Sequence, residues 1–418
     1  MAMIKAEILA IGDELLYGQT LDTNSHWISS QLDKVGIKVI RRTTIGDLED
    51  EILNAFEEAE KRADLILITG GLGPTSDDLT KPCLARYFGC DMAIHPEALE
   101  EVTAFFTQRG RELTELNRRQ AELPTCCEKI TNTLGTAPGM WFERNGKIFI
   151  SMPGVPHEMK KMISGYIIPH LLKKFSLPII YHQMIRTAGI GESFLADKIK
   201  TWEQSLPPHV KLAYLPGEGG VKLRLTAVGQ DYEFLKRNID RLVERLTPLV
   251  DEYIFGYDDA PLEAVMGGVL KERGFTLAIA ESCTGGYVSH LITSVPGSST
   301  YFKGSLIAYS NEIKVTELGV KNDTLVKYGA VSEQTVQEMA EQVRKKFNAT
   351  IGLATSGIAG PDGGTEDKPV GTVWIAYSNG LETRTKKLQL GKERLVNIRL
   401  TATHVLNLMR RALLETAR

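Results

Sequence analysis

The alternation of apolar and polar positions divides the first part of the chain into strands and helices in a regular order. Short apolar runs at 6–11, 37–45 and 64–69 have the length and composition of buried strands. Between them, the segments 22–35 and 51–62 carry apolar residues every three to four positions, as amphipathic helices do. Because strands and helices alternate at this spacing, the pattern predicts a parallel sheet with crossover helices, and hence an α/β fold.

The rest of the chain shows two further patterns. A strand at 178–188, a hairpin over 210–228 and an amphipathic helix at 232–249 predict a small α+β module. Beyond it, strand patterns at 275–280, 302–309 and 350–354 alternate with helical ones, which again predicts an α/β domain. We therefore expect three domains, and their predicted ranges are 1–168, 169–255 and 256–418.

Polar residues of the first domain cluster where its predicted strands end. Asp13 follows the first strand, Asp47 the second, and a glycine-rich loop at 70–80 the third. Ligands of parallel sheets bind at this edge, and glycines free backbone N–H groups to hold phosphate. Asp77 and Asp78 in the loop would repel phosphate unless a divalent cation bridged them. The alternative is that these two carboxylates are first-turn helix charges facing water, but the clustering favours a metal–phosphate site.

In the last domain, three strand ends offer a serine, a lysine and a glycine-rich loop. Ser282 follows the strand at 275–280 in the turn A-E-S-C-T-G-G, Lys314 follows the next strand, and the loop spans 355–364. A buried lysine can lose its proton readily enough to activate a serine, and no histidine is placed to do so. The alternatives are that Ser282 and Thr284 only cap a helix and that Lys314 is a solvated charge.

Composition narrows the range of functions. The chain has 418 residues, 24% of them charged, and a net charge of −3, which points neither to nucleic acid nor to a membrane surface. No apolar run reaches the ~18 residues of a membrane span. The five cysteines are odd in number and not spaced as metal ligands, so we expect free thiols and a cytoplasmic protein.

The motifs of the first domain resemble those of the competence/damage-inducible CinA family: G-D-E-L-L-x-G, D-T-N-S, T-G-G-L-G-P-T-x-D-D-L-T and M-P-G-V-P-x-E-M. The resemblance implies a molybdopterin-binding-like fold and an ADP-ribose pyrophosphatase that releases AMP and ribose 5-phosphate with Mg, Mn, Co or Ni. It implies Asp13, Asp47 and Asp78 as metal ligands, with Asp47 and Asp78 also activating water. The residues implied to bind substrate are Gly70, Gly71, Gly73 and Thr75 for phosphate, and Asn24, Pro153 and Gly154 for the nucleotide.

The last domain resembles the C-terminal CinA domain through A-E-S-C-T-G-G, Y-S-N-E-x-K, T-S-G-I-A-G-P-x-G-G and K-P-V-G-T-V. This resemblance implies a metal-free amidase that converts nicotinamide mononucleotide to nicotinate mononucleotide and ammonia. It implies Ser282 as nucleophile, Lys314 as general base and Tyr309 as a further member of the proton network. The implied substrate contacts are Thr284, Gly285, Gly286, Ser356 and Gly357 around the carboxamide, and Arg394 (second choice Arg399) at the phosphate. Ser356 is a departure, since threonine is as readily expected there.

The middle module is then similar to a KH-like connector. Its loop 217–220 has the G-x-x-G spacing of RNA-binding loops, but Glu218 carries the wrong charge for phosphate, which favours a connector. We expect a homodimer acting on small nucleotides, without nucleic acid or membrane. Two alternatives remain open. Either only the amidase is active, or the first domain is a nucleotide- or pterin-binding module in competence or recombination.

Overall fold

A computed structural model of the chain describes residues 3–75, 77–217 and 219–415. These residues fall into two compact units, of which the first comprises Met1–Tyr181 with Val228–Glu233 and the second His182–Ala227 with Phe234–Arg418. The middle module therefore lies mostly in the same unit as the last domain.

The secondary structure follows the predicted order closely. The strands are β1 (Lys5–Ile11), β2 (Lys38–Ile45), β3 (Leu65–Thr69), β4 (Met92–Ile94), β5 (Glu122–Pro124), β6 (Glu128–Ile130), β7 (Gly139–Arg144), β8 (Lys147–Met152), β9 (Ile179–Thr187), β10 (Val210–Gly217), β11 (Gly220–Gly229), β12 (Ile254–Tyr257), β13 (Leu277–Glu281), β14 (Phe302–Ile307), β15 (Ile351–Gly357), β16 (Thr372–Ser378) and β17 (Thr383–Gln389). The helices are α1 (Asp13–Leu16), α2 (Thr23–Lys34), α3 (Glu49–Arg62), α4 (Thr80–Phe88), α5 (Pro96–Thr107), α6 (Glu115–Arg118), α7 (Pro156–Met162), α8 (Ile168–Lys174), α9 (Glu192–Gln204), α10 (Tyr232–Val250), α11 (Leu262–Glu272), α12 (Tyr287–Thr293), α13 (Asn311–Thr316), α14 (Asn322–Tyr328), α15 (Glu333–Lys346) and α16 (Arg394–Glu415). Short 3₁₀ turns occur at Arg119–Ala121 and Ser298–Thr300, and a π-helical turn, Ile163–Ile167, joins α7 to α8.

The first unit is built on a six-stranded sheet in the order β2-β1-β3-β8-β7-β6. Strands β2, β1, β3 and β8 are parallel, and β7 and β6 continue the sheet antiparallel. Helices cover both faces, so successive residues of β1 enter different cores: Leu9 packs with Phe56, and Ile8 packs with Ile28. Burial on both faces is why the central strand β3 is a continuous apolar run, whereas the edge strand β2 is largely exposed. The α/β fold and the parallel sheet of the first domain are confirmed.

The segment from 96 to 123 has the apolar spacing of a helix throughout, but the structure divides it. Helix α5 ends at Thr107, and the chain then passes through α6 and a 3₁₀ turn into β5. Strand β5 pairs with β4 as a separate antiparallel ribbon. The apolar spacing was real, but Gly110 adopts a positive φ of 66° after α5, where a continuous helix cannot form.

The prediction that all five cysteines are free thiols was wrong for one pair. Cys90 and Cys126 form a disulfide with their Cα atoms 6.0 Å apart. Pairing of β4 with β5 brings these positions together, since Met92 lies opposite Pro124. Spacing along the chain gave no indication of the bond, because 36 positions separate the two cysteines. Cys83, Cys127 and Cys283 are free.

The middle module has a four-stranded sheet in the order β10-β11-β9-β12. Its glycine loop packs inside the second unit, where a side chain at Gly219 would come within 2.6 Å of Thr403 on α16. The buried Arg410 of α16 also donates hydrogen bonds to the carbonyls of Glu252 and Ile254. Glu218, on which the charge argument against RNA rested, lies outside the described residues. These contacts tie the module to α16.

The last domain carries a five-stranded sheet in the order β14-β13-β15-β16-β17, in which β14, β13 and β15 are parallel. Ser332 is the N-cap of helix α15, and its side chain accepts a hydrogen bond from the N–H of Thr335. Among the helices described, none is both long and apolar enough to cross a membrane. This arrangement places three neighbouring carboxyl ends, those of β14, β13 and β15, at one edge of the sheet.

Candidate active sites

Ser282 lies at the centre of the edge formed by β14, β13 and β15. The residue before it, Glu281, is the last of β13 and pairs with Ile307 of β14 on one side and Thr355 of β15 on the other. The N–H of Ser282 donates to the carbonyl of Thr355 at 3.0 Å, which fixes the backbone of the serine against β15. The parallel register thus brings the three strand ends together, as the sequence predicted.

The turn after Ser282 is held by the buried carboxylate of Glu281. It accepts hydrogen bonds from the N–H groups of Gly286 (3.0 Å), Val288 (3.1 Å) and Ser289 (2.8 Å), and from the hydroxyl of Ser289 (2.5 Å). These bonds satisfy donors at the start of α12 that would otherwise be unpaired, so the carboxylate has a structural reason to be buried. Sequence reasoning missed this residue, although an acidic residue at the end of an apolar strand was the available signal.

Lys314 reaches Ser282 from the neighbouring strand end. Ser310 caps α13 by accepting from the N–H of Ile313, and Lys314 follows on the first turn with 1% of its surface exposed. Its Nζ lies 3.1 Å from Ser282 Oγ, 2.7 Å from the carbonyl oxygen of Ala308 and 3.2 Å from that of Tyr309. Lys314 is therefore not a solvated surface charge.

Burial lowers the pKa of Lys314 from the ordinary value for lysine. A neutral amine has two N–H donors and one lone pair, and the lysine has two carbonyl oxygens and one hydroxyl around it. The carbonyls of Ala308 and Tyr309 can keep the two N–H donors, which leaves the lone pair for the proton of Ser282. The surroundings of Lys314 thus suit the form of lysine that accepts a proton.

Other nucleophiles and bases near the turn are less suitable. Burial raises the pKa of the Cys283 thiol to about 12, so it stays protonated at neutral pH. His290 is exposed on α12, and burial lowers the pKa of His404 to about 4. Neither histidine lines the cavity at Ser282. The described residues around the serine therefore leave Lys314 as its base.

The cavity at Ser282 has a volume of about 280 Å³ and reaches from the serine to Arg394. Arg394 donates to the carbonyl of Gly360 and to the hydroxyl of Tyr309, both at 2.9 Å. Tyr309 is 58% exposed. Its hydroxyl accepts a hydrogen bond from Arg394, and its backbone carbonyl accepts one from Lys314. Asp362 also lines the cavity and was not predicted.

The remaining residues predicted for this site lie in two places. Ser356 and Gly357 line the cavity, but the hydroxyl of Ser356 donates to the carbonyl of Ala330 at 2.7 Å. Thr284, Gly285 and Gly286 are not among the lining residues, and the hydroxyl of Thr284 bonds that of Thr355 at 2.7 Å. The hydroxyls of Ser356 and Thr284 are therefore both engaged by other protein groups. Arg399 does not line the cavity either.

A second cavity, of about 470 Å³, lies at the carboxyl edge of the sheet in the first unit and is called here the acidic cleft. Most residues predicted for this domain line it: Asn24, Asp47, Gly70, Gly71, Gly73, Asp78, Pro153 and Gly154. Asp13 and Thr75 do not line the cleft, but they form hydrogen bonds with Asp47 and Asp78, which do. Asp77, which the sequence analysis placed with Asp78 beside a bridging cation, also lines it, and Glu14, Asp22, Gln120 and Glu158 are among its further polar lining residues.

Asp13 and Asp47 hold each other through backbone contacts. The N–H of Asp13 donates to Asp47 at 2.9 Å, and the N–H of Asp47 donates to Asp13 at 3.3 Å. Burial, reinforced by the negative charges of Asp13, Glu14 and Asp77, raises the pKa of Asp47. This accumulation of negative charge would be relieved by a bound cation.

A divalent cation fits the acidic cleft only if substrate supplies part of its coordination. Among the described residues, no three His, Cys, Asp or Glu side chains are grouped to hold a metal. Mg²⁺ commonly binds through one or two carboxylates together with substrate phosphates and water. Asp47 with Asp13 or Asp78 would suit that arrangement, whereas a closed set made by all three does not form.

The glycine loop folds around Thr80 and Asp78. Gly70 and Gly71 have positive φ angles of 107° and 63°, and side chains there would come within 2.0 Å of Ile11 O and 2.2 Å of Thr80 Oγ1. The N–H and hydroxyl of Thr75 donate to Asp78 at 2.9 and 2.5 Å. Both predicted phosphate donors of Thr75 are therefore engaged by Asp78.

Asn24 joins α2 to the turn after β8. Its Nδ2 donates to the carbonyl of Gly154 at 2.7 Å and to the hydroxyl of Thr69 at 3.2 Å. Thr69 in turn donates to the carbonyl of Pro153 at 3.2 Å. The Oδ1 of Asn24 is buried without a hydrogen-bond partner, so this side chain still has an acceptor to offer at the cleft.

Comparison with known proteins finds family models for three successive segments of the chain. Family models match residues 7–173 ("Probable molybdopterin binding domain"), 182–256 ("Damage-inducible protein CinA KH domain") and 259–413 ("CinA C-terminal domain"). A CinA-like protein from Cytophaga hutchinsonii is 51% identical over 99% of both chains, and one from Flavobacterium psychrophilum is 44% identical over 94% of both. A crystal structure of CinA from Thermoplasma acidophilum, described as of unknown function, is 35% identical, with a TM-score of 0.36, over 41% of this chain and 96% of its own.

The fold and the matches define an α/β protein that joins a molybdopterin-binding-like domain, a KH domain and a CinA C-terminal domain. At this identity, over nearly the whole length of its relatives, the chain belongs to the CinA family.

Proposed function

We propose that the second unit is an amidase that hydrolyses the carboxamide of nicotinamide mononucleotide, giving nicotinate mononucleotide and ammonia. The observation that carries this proposal is the buried Lys314, with its Nζ 3.1 Å from Ser282 Oγ and two carbonyl oxygens at its other positions. A serine paired with a neutral amine is suited to acyl transfer from an amide. The substrate itself is suggested by the family resemblance of the motifs around both residues.

In the first half of the reaction, the lone pair of Lys314 takes the hydroxyl proton of Ser282 as Oγ attacks the carboxamide carbon. The tetrahedral intermediate then collapses, its C–N bond breaks, and the nitrogen leaves as ammonia with the proton held by Lys314. An ester between Ser282 and the nicotinoyl nucleotide remains. In the second half, Lys314 takes a proton from water, and the hydroxide oxygen attacks the ester. Ser282 regains its proton as the acid is released.

Arg394 is proposed to hold the phosphate of the nucleotide. Its guanidinium lines the far part of the cavity, and the hydrogen bonds to Gly360 O and Tyr309 Oη fix its orientation. A fixed guanidinium can pair with two phosphate oxygens at once.

Arg394→Ala is expected to raise the KM for nicotinamide mononucleotide at least about tenfold, because a charge-assisted contact worth ~1.5–3 kcal/mol is lost. Hydrolysis of nicotinamide riboside, which has no phosphate, should change little. Steady-state ammonia release from both substrates checks this. If Arg399→Ala raised the KM instead, the phosphate would lie at the second candidate, and equal losses on both substrates would argue against a phosphate role for Arg394.

A second activity is proposed for the acidic cleft: hydrolysis of ADP-ribose to AMP and ribose 5-phosphate. It is favoured by the raised pKa of Asp47 among other carboxylates, next to the glycine loop at Gly70 and Gly71. Asp47 would take a proton from water as the oxygen attacks phosphorus and the P–O–P bridge breaks. A divalent cation held by Asp47 with Asp13 or Asp78 would neutralise charge on the diphosphate.

Asp47→Asn is expected to lower ADP-ribose hydrolysis about a hundredfold, since a general base contributes at least that much. Asparagine keeps an oxygen for the N–H of Asp13, so the local fold should survive. AMP release measured with Mg, Mn, Co and Ni checks this, with the exposed Asp50→Asn as a matched control. Unchanged AMP release would contradict the role of Asp47. Absence of release by the wild type with every metal would leave the amidase as the remaining proposed activity.

A further inference from the structure

Gln120, in the wall of the acidic cleft, has an unpaired side-chain acceptor. The residue is 2% exposed and lines the cavity, and its Oε1 is buried without a hydrogen-bond partner. Leaving a buried polar atom unpaired costs ~1–3 kcal/mol, so a native structure needs a reason for it. In a cavity of about 470 Å³, an incoming ligand group is such a reason.

The backbone around Gln120 is fixed without help from its side chain. The carbonyl of Gln120 accepts a hydrogen bond from the buried Lys81 at 3.0 Å, and the carbonyl of Ala121 accepts one from the N–H of His95 at 2.8 Å. The disulfide between Cys90 and Cys126 closes the adjoining ribbon. Because these contacts hold the main chain, the amide is presented to the cavity by a rigid turn, and its removal should leave the turn in place.

The chemistry of an amide oxygen limits what it can contact. Oxygen atoms of a diphosphate at neutral pH only accept hydrogen bonds, so they cannot satisfy Gln120 Oε1. An amino group on a base or a ribose hydroxyl can donate to it. The glycine loop and the carboxylates of Asp47 and Asp78 form another part of the same cavity and suit the metal-bound diphosphate.

We propose that Gln120 is a specificity residue that accepts a hydrogen bond from the adenosine half of the substrate in the acidic cleft. This inference rests on the proposed cleavage of ADP-ribose and deepens it by assigning the nucleoside end of the cleft. None of the sequence motifs includes Gln120. An uncompensated buried acceptor discriminates against ligands that lack the donor, because their binding leaves it unpaired.

Gln120→Met tests the proposal, since methionine has a similar length and no hydrogen-bonding amide. We expect kcat/KM for ADP-ribose to fall about tenfold, mainly through KM, with a melting temperature no lower than that of the wild type, because methionine removes the unpaired acceptor. Gln108→Met makes the same substitution at an exposed position of the same segment and should behave as wild type. A Gln120→Met enzyme with unchanged kcat/KM on ADP-ribose would overturn the inference.

Substrate analogues identify the donor. Hypoxanthine in place of adenine removes the amino group, and 2′-deoxy and 3′-deoxy analogues remove one ribose hydroxyl each. The analogue that already lacks the donor should be insensitive to Gln120→Met, while the others lose about tenfold. Equal decreases in kcat/KM for ADP-ribose and all three analogues would show that none of these adenosine groups donates a hydrogen bond to Gln120, which would contradict the proposal.

Binding of AMP separates this inference from the proposed reaction. Calorimetry with Mg²⁺ should show AMP binding about tenfold weaker to Gln120→Met than to Gln108→Met. A wild-type protein that binds AMP but does not cleave ADP-ribose would remove the proposed activity, and the AMP comparison would still decide the role of Gln120. If the wild type bound neither AMP nor ADP-ribose, the inference would be wrong together with the function on which it rests.

Discussion

Ser282→Ala is expected to lower ammonia release from nicotinamide mononucleotide at least about ten-thousandfold, as loss of a nucleophile does in other hydrolases. Alanine removes only Oγ, whereas the N–H of residue 282 keeps its bond to Thr355 O. The turn is also held independently by Glu281. The fold should therefore remain intact, so the loss of rate would report the chemistry. Steady-state ammonia release and thermal unfolding of the same preparation measure the two effects.

Three controls make the result specific. Ser299→Ala removes an exposed hydroxyl of the same domain and should leave the rate unchanged. Cys283→Ala should also retain most activity, because burial keeps the pKa of that thiol near 12. AMP release from ADP-ribose should be the same in Ser282→Ala as in wild type, since the acidic cleft belongs to the first unit. Full ammonia release by Ser282→Ala would end the assignment of the nucleophile.

Lys314→Met is expected to lower ammonia release from nicotinamide mononucleotide at least about a thousandfold, because the serine loses the group that accepts its proton. Lys314→Arg should be as inactive, since a guanidinium keeps its proton at every pH at which the protein is folded. Comparing Lys314→Met with Lys314→Arg separates the loss of the proton acceptor from the loss of the hydrogen bonds that Lys314 donates. Methionine leaves the carbonyls of Ala308 and Tyr309 without their donor, whereas arginine still has N–H groups to offer.

The pH dependence follows from the state of Lys314. Only the neutral amine can accept the proton, so kcat/KM should rise with pH and level off above the pKa of Lys314. Burial lowers that pKa, so the break should fall below the ~10.4 of an ordinary lysine. Lys303→Met, on the exposed part of β14, serves as the matched control and should keep the wild-type profile. A profile that stayed flat as the pH fell, or that Lys314→Arg left unchanged, would exclude Lys314 as the base.

The parts of the fold near the candidate sites could be predicted because local patterns determined them. Strand β13 is apolar from Leu277 to Ala280, and its parallel pairing with β14 and β15 then places Ser282 beside the other two strand ends. The N-cap of α15 at Ser332 is likewise a local feature, because its hydrogen bond joins residues three positions apart. Sequence reasoning therefore named Ser282, Lys314 and Arg394, which line the cavity of the second unit.

The features that sequence reasoning missed depend on contacts between distant segments. The disulfide of Cys90 and Cys126 forms because β4 pairs with β5, and the turn at Gln120 is held by Lys81 from another helix. Thr284 carries the right hydroxyl, but its partner Thr355 lies 71 positions away and turns it from the cavity lining. The periodicity of apolar residues within one segment carries no information about its contacts with a distant segment. These pairings could therefore not be predicted from the sequence pattern.

The central claim is that Ser282 forms a covalent bond to the acyl group of the substrate. Mass spectrometry of protein quenched during turnover of nicotinamide mononucleotide tests it most directly. The account predicts a nicotinoyl-nucleotide ester on the peptide that contains Ser282, absent from Ser282→Ala and present in Cys283→Ala. Ammonia released without any such adduct in trapping experiments, or an adduct that persisted in Ser282→Ala and disappeared in Cys283→Ala, would contradict it.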